Sequence, residues 1–190
     1  MRRLVFHIQA TLDLRISTTT GDLWEPFPWG EVETAYLSEI FRGADTWVLS
    51  RKLYEVIVPY WDQVAHGTQP AETGADREFA AVLHSLGKVA ISRTLEPTPE
   101  RSVIADDVPA ALEALKRQNG KDILLSCGPA TLAPLAATPG LIDEFLLSLS
   151  PIVLSDGPRI FDRLANDLAL ELVDSKVFDA GVVLLRYRSS

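Results

Sequence analysis

Cysteine is almost missing from this chain: Cys127 stands alone among 190 residues. No internal disulfide can form, and the expectation is a reducing, cytoplasmic setting rather than secretion. Histidine is nearly as scarce. His7, His66 and His84 follow no metal-ligand spacing, so no metal site is expected and each reads as structural or surface. Basic runs are absent too, with 18 Lys+Arg against 26 Asp+Glu, a formal charge of −8 and a pI near 4.9. Nucleic-acid binders need a basic footprint to neutralise phosphates, so no nucleic-acid partner is expected. Long apolar runs are lacking as well. The first breaks at His7, too early for a signal-peptide core, and residues 145–154 are interrupted by Ser148, Ser150 and Pro151. A bilayer needs about 20 apolar residues, so no membrane partner is expected. Nothing reads as a G-x-G-x-x-G fingerprint, a P-loop, H-E-x-x-H, C-x-x-C or a nucleophile elbow.

What is present is an alternation of short β-rich runs and amphipathic helical stretches, the pattern of a single α/β domain spanning 1–190. Residues 3–9 predict a first strand and 10–30 a long loop. Val32, Tyr36 and Ile40 share a helix face that Gly43 ends. Residues 46–49 predict a strand, 51–58 a helix stopped by Pro59, and 66–70 a polar loop. Phe79, Val82, Leu83 and Leu86 mark a helix before a strand at 88–92, and Pro97–Pro99 reads as a turn. Asp107 with Pro109 starts another helix, Asn119-Gly120 ends it, and 123–126 is a strand. Gly128-Pro129 opens a short helix. The proline in 145–154 predicts a strand that bends or lies partly at an edge. Residues 168–173 and 182–187 flank Asp179-Ala180-Gly181 as a closing antiparallel hairpin. The expected architecture is three-layer α/β/α, a mostly parallel mixed sheet closed by that hairpin.

Three strand ends carry groups suited to phosphate. Ser50-Arg51-Lys52 begins a helix, Ser92-Arg93-Thr94 closes the next strand, and Cys127-Gly128-Pro129-Ala130-Thr131 opens a third site. Helix starts attract anions through free N–H groups and the dipole, and ligands of open α/β sheets bind at carboxyl edges. After the first strand stands Thr11-Leu12-Asp13-Leu14-Arg15-Ile16-Ser17. Asp13 suits orienting a polar substrate or managing a proton, and Arg15 suits a phosphate; equally, Asp13 suits capping its own turn. Trp24, Phe27 and Trp29 form either a substrate wall or lid, or a plug in the core.

These segments resemble the dihydrofolate reductase-like superfamily, in particular the stand-alone relatives of the reductase domain of bifunctional riboflavin-biosynthesis enzymes. Thr11–Ile16 is similar to the family's S-L-D-G-R-I, Leu49–Glu55 to L-G-R-R-T-Y-E, and Val89–Leu95 to V-x-S-R-T-L. Gly128–Leu132 is similar to G-S-A-T-L, Leu141–Glu144 to L-I-D-E-L, and Pro151–Leu154 to the start of P-V-V-L-G-x-G. The resemblance implies NADPH as cofactor and hydride transfer to a small pyrimidine- or pterin-like substrate, a phosphoribosylamino-pyrimidine in the riboflavin branch. It makes Arg51 and Arg93 phosphate ligands with Thr11, Ser50 and Lys52 nearby, and puts Ser92 by the 2′-phosphate. Gly128, Ala130 and Thr131 then meet the pyrophosphate. Asp13 becomes the catalytic, substrate-facing group, with Arg15 and Trp24 beside the substrate. One cysteine excludes the zinc motif of a fused deaminase. The resemblance also implies a homodimer. Leu14, Ser50, Leu53, Ser155 and Asp156 depart from the family pattern, the first two and the last pair at glycine positions. These departures keep a second reading open: a fold-preserving relative that binds a nucleotide or pterin-like ligand weakly, or a protein partner.

Overall fold

The computed structural model describes residues 1–23, 27 and 30–189. Its elements, in order, are β1 (Leu4–Thr11), α1 (Glu31–Arg42), β2 (Ala44–Ser50), α2 (Arg51–Ala65), α3 (Gly74–Ser85), β3 (Gly87–Ile91) and β4 (Arg101–Ile104). They continue with α4 (Val108–Arg117), β5 (Asp122–Ser126), α5 (Pro129–Ala136), β6 (Glu144–Ser150), β7 (Leu170–Val177) and β8 (Val183–Ser189). The fold is α/β with parallel and antiparallel strand pairs, as the alternation predicts. Among the described residues no helix is long and apolar enough to cross a membrane.

The chain divides into two compact units, each built from separated stretches. One, Met1–Arg2 with Gly30–Ser126, holds the parallel strands β4-β3-β2-β5 and helices α1 to α4. Parallel strands covered on both faces read as unbroken apolar runs, and Val48, Leu49, Ile123, Leu124 and Leu125 are all buried. Phe41 meets Trp47 and Phe79 edge-on at centroid separations of 6.0 and 5.4 Å, and Trp61 meets Phe79 at 5.1 Å. The buried Arg2 donates to the Asp45 carboxylate, to the Thr46 hydroxyl at 2.7 Å and to the Lys121 carbonyl at 2.7 Å. That leaves no space beside Gly120, where a Cβ would press on Asp45 and Arg2.

The other unit, Arg3–Trp29 with Cys127–Ser190, holds α5 and the strand order β1-β6-β8-β7. Here β1 and β6 run parallel, β8 runs antiparallel to β6, and β7 antiparallel to β8. Phe6 and Phe145 pack across the parallel pair, their centroids 5.7 Å apart. The predicted hairpin is present, its turn joined by Phe178 N–H to Val182 and Gly181 N–H to Phe178. It finishes the sheet with a free edge at β7 and does not close it into a barrel.

Three expectations change. Helix α2 does not stop at Pro59 but continues to Ala65. Pro59 is exposed, so the carbonyl that loses its N–H partner lies on the solvent side. Packing of Val58, Val64 and Trp61 then outweighs the lost bond. Strand β6 ends at Ser150, before Pro151, and lies between β1 and β8 rather than at an edge. A proline cannot donate to the ladder, so it ends the strand instead of bending it. Strand β4 has no sequence signature, because its four residues are short and half polar, and it forms as an edge beside β3.

Candidate functional site

At the carboxyl ends of the paired strands β1 and β6, Thr11 stands opposite Ser150. The chain leaving β1 turns through Leu12–Leu14, and that leaving β6 runs through Pro151–Gly157. Asp13 ties the two together. One of its carboxylate oxygens accepts the Thr11 hydroxyl at 2.7 Å and the Leu154 N–H at 3.3 Å; the other accepts Arg15 Nε at 2.8 Å. These bonds, Thr11's foremost, outweigh the cost of partial desolvation and hold the Asp13 carboxyl below its ordinary value. Asp13 is thus an ionised acceptor with a fifth of its side chain accessible.

The buried Arg15 spends its guanidinium on this loop. It reaches Asp13, the carbonyls of Leu154 (3.1 Å) and Gly157, and at longer range the carboxylate of Asp156 (3.8 Å). Thr11 is fully buried, its hydroxyl donating to Asp13 and accepting Arg15 N–H at 2.9 Å. The loop-organising alternative for Asp13 is therefore built in full, and Arg15 and Thr11 serve it. Asp156 leans toward Arg15 and receives Gly157 N–H at 2.7 Å.

Two residues that the sequence did not single out complete the cluster. Arg159 donates Nε to the Asp13 carbonyl at 3.0 Å and sets its guanidinium 3.6 Å from the Asp13 carboxylate. With 43% of its side chain exposed, it is the accessible cation here. Gly157 has φ +120°, and a Cβ on it would run into the Ser17 carbonyl. The only forewarning was the turn-forming dipeptide Asp156-Gly157. Gly128 also belongs to this unit; a Cβ there would touch the Ile16 side chain at 3.6 Å, so α5 starts beside the same loop. Thr131 is half-buried in the first turn of α5 and Ala130 is exposed. Trp24 and Trp29 lie outside the described residues, whereas Phe27 is buried as core.

Leu14, where the family motif has glycine, adopts φ +65°. A side chain in this left-handed region costs about 1 kcal/mol. Leu14→Gly is therefore expected to unfold at higher denaturant than Leu14→Ala by about 1 kcal/mol, the reverse of the usual order of the two residues. Equal midpoints in urea titrations would remove the strain.

In the other unit Ser50 and Ile91 are neighbours on β2 and β3, so the Ser50-Arg51-Lys52 and Ser92-Arg93 segments leave adjacent strand ends. Arg51 and Lys52 are exposed; Arg51 pairs loosely with Glu55 at 3.2 Å. Arg93 is largely in solvent, 3.8 Å from Asp106. The buried Ser92 hydroxyl accepts the N–H groups of Thr94 (3.1 Å) and Leu95 (3.0 Å), shaping the turn that presents Arg93. Leu53, in place of the family threonine, is buried and offers no hydroxyl.

The remaining reactive side chains are placed by packing. Cys127 is buried, which pushes its thiol well above the ordinary value. His66 and His84, unrelated in sequence, stack edge-on at 4.8 Å; His84 Nδ1 lies 2.9 Å from the Asp62 carboxylate and His66 Nδ1 2.6 Å from its carbonyl. Among the described residues no group of three His, Cys, Asp or Glu is arranged to hold a metal.

Together these features define an α/β protein whose polar and cationic groups collect where parallel strands end and helices begin. Residues 2–184 match the family described as the RibD C-terminal domain, and the chain belongs to that family. Over 188 residues it is 30% identical to the uncharacterized protein YyaP of Bacillus subtilis, covering 98% of this chain and 94% of that one. Its structure is similar to the diaminohydroxyphosphoribosylaminopyrimidine deaminase/5-amino-6-(5-phosphoribosylamino)uracil reductase of Thermotoga maritima, at 13% identity and TM-score 0.70, over 100% of this chain and 57% of that one. It is also similar to the riboflavin biosynthesis reductase Rib7 of Saccharomyces cerevisiae, at 13% identity and TM-score 0.64, covering 100% and 90% of the two chains. Likeness at that identity establishes the fold; function is argued from the site.

Proposed function

We propose that this protein is a reductase that passes a hydride from NADPH to a small pyrimidine- or pterin-like ring. The observation that carries this reading is a contrast among helix starts. Thr73 and Asp107 cap α3 and α4 with their own side chains, and the uncapped α1 has Glu31 and Glu33 in its first turn. Helices α2 and α5, beginning at Ser50 and Gly128, have neither a side-chain cap nor an acid there. Their positive ends are left for an external anion, at the segments the family resemblance assigns to cofactor phosphates. The exposed Arg51–Glu55 pair contributes little to stability, so a phosphate can take the guanidinium at small cost.

NADPH, when bound, supplies the hydride; positioning is the protein's share of the work. The family resemblance would have Ser50, Arg51 and Lys52, with Ser92 and Arg93, hold its phosphates, and Gly128, Ala130 and Thr131 meet the pyrophosphate. Asp13, ionised and held by Thr11 and Arg15, accepts a hydrogen bond from a substrate N–H or O–H and has no proton to give. Arg159, anchored to Asp13 and partly open, offers its free face to an anionic substituent on the substrate.

Titrating the protein's fluorescence with NADPH, and NADH as control, tests the reading. NADPH is expected to bind more tightly. Arg51→Ala is expected to weaken NADPH by about tenfold or more, from loss of a charge-assisted bond, and Lys52→Ala by less. No binding at millimolar NADPH, or equal losses in the two variants, would overturn it.

A further inference from the structure

Two of the three histidines meet where helices α2 and α3 end. His66 caps the C-terminus of α2 and His84 lies in the last turn of α3, both of them exposed. Their spacing along the chain predicts no metal site. The packing of α2 on α3, with Trp61 edge-on to Phe79 at 5.1 Å, brings them together. Asp62 fixes the orientation of both rings. Its carboxylate lies 2.9 Å from His84 Nδ1, and its backbone carbonyl 2.6 Å from His66 Nδ1. An ionised carboxylate and a carbonyl can only accept, so in each neutral ring the proton sits on Nδ1 and the lone pair on Nε2. No described residue bonds either Nε2.

We infer that His66 and His84 form a two-histidine site for a first-row transition-metal dication such as Zn2+, Ni2+ or Cu2+, with solvent completing the coordination shell. A metal-bound imidazole ordinarily donates its other N–H to a carboxylate or a backbone carbonyl, and Asp62 supplies one of each. The ring separation fits as well. With metal–nitrogen bonds of about 2.0–2.1 Å meeting at about 90–110°, two ligating rings have centres about 4.5–5.2 Å apart. The centroids here are 4.8 Å apart, with the rings inclined at 82°. His7 and Cys127 are buried, so no other imidazole and no thiol competes from the surface. Imidazole nitrogens suit these borderline ions, whereas Mg2+ and Ca2+ prefer oxygen. Lys88 opposes the site: its Nζ is 3.8 Å from the Asp62 carboxylate and donates to the His84 carbonyl at 3.1 Å. Two neutral ligands beside a cation make for an affinity on the order of micromolar rather than nanomolar. A bound ion ties the ends of α2 and α3 across the 67–73 loop and so stabilises that helix pair.

Calorimetric titration and thermal melts with ZnCl2, on tag-free protein first stripped with a chelator, test this. A single equivalent of Zn2+ is expected to bind and to raise the melting temperature by about 5 °C at a hundredfold excess over Kd. MgCl2 is expected to do neither. His66→Gln and His84→Gln are each expected to weaken Zn2+ by about tenfold or more. Both side chains are exposed, and circular dichroism checks that each variant keeps its fold. In nitrogen-detected NMR the ring resonances of His66 and His84 are expected to shift together on adding Zn2+, while those of His7 stay. No binding at millimolar Zn2+ would overturn the inference and leave the pair as a cap on two helix ends. Binding that survives both substitutions would overturn it too, as would Mg2+ that stabilises as well as Zn2+. Shifts confined to one of the two rings would overturn the shared site.

Discussion

Lowering the pH from 6.5 to 4 is expected to remove about 3 kcal/mol of folding stability through one side chain, His7. His7 lies in β1, buried between strands, with Nε2 3.4 Å from the Ser148 hydroxyl. Burial disfavours the charged imidazolium and pushes the pKa from 6.5 down to about 4. Above pH 6.5 the ring is neutral whether the chain is folded or not, so this site contributes no slope. As the pH falls below 6.5 the unfolded chain takes up a proton that the folded one refuses, and stability declines. Below about 4 both states are protonated and the decline from this group ends. Urea titrations at closely spaced pH values should show that slope, and His7→Gln should flatten it while the carboxylates keep their own, lower transition. A profile with equal slopes in both proteins would remove His7 as the cause.

Replacing Gly157 by alanine should be the most damaging single change at the candidate site. Its φ of +120° is strained for a residue with a side chain, and the added Cβ would meet the Ser17 carbonyl, which belongs to backbone and has no rotamer to yield. Strain and overpacking together suggest a cost of about 3 kcal/mol. The damage reaches further than stability, because the Gly157 carbonyl is one of the groups that holds Arg15, and Arg15 holds Asp13. Gly157→Ala is therefore expected to lower the melting temperature and to loosen the 154–157 segment, seen as faster amide exchange at Leu154. Ser155→Ala, which keeps its backbone carbonyl, serves as the mild comparison. Unchanged melting and exchange in Gly157→Ala would show that the segment accommodates the side chain at no cost.

Much of the fold is legible in the sequence because its signals are local. The helix that Gly43 ends, the Asp107 cap and the Gly128-Pro129 helix start are each decided within a turn or two of chain. The face α1 buries, however, is that of Leu37 and Phe41 and not the Val32, Tyr36 and Ile40 face, because packing against distant segments selects it. Sequence reading failed where a distant contact outweighed a local preference. Pro59 stays inside α2 because aromatic packing at Trp61 and Phe79 supports the turn beyond it. Strand β4 exists because β3 presents an edge for it. At the site, the residue types were readable and their duties were not. Arg15 reads as a phosphate-binding group, and only the arrival of Leu154–Gly157 beside it shows which carbonyls it serves. Arg159 has no motif of its own; it joins the cluster because a chain segment almost 150 residues away from Asp13 folds back against it.

The scarcities of the sequence determined on their own that no disulfide forms within this chain, and its alternating pattern determined an α/β fold. Composition and short-range periodicity suffice for that, since both are properties of neighbouring residues. Tertiary structure decided which of the few reactive groups are spent and which are free. It buried Cys127 and His7, brought His66 to His84, committed Thr11 and Arg15 to the Asp13 loop, and left Arg159, Arg51 and the β7 edge open. Those outcomes depend on which segments meet across the fold, where desolvation and hydrogen bonding assign each polar group its partner.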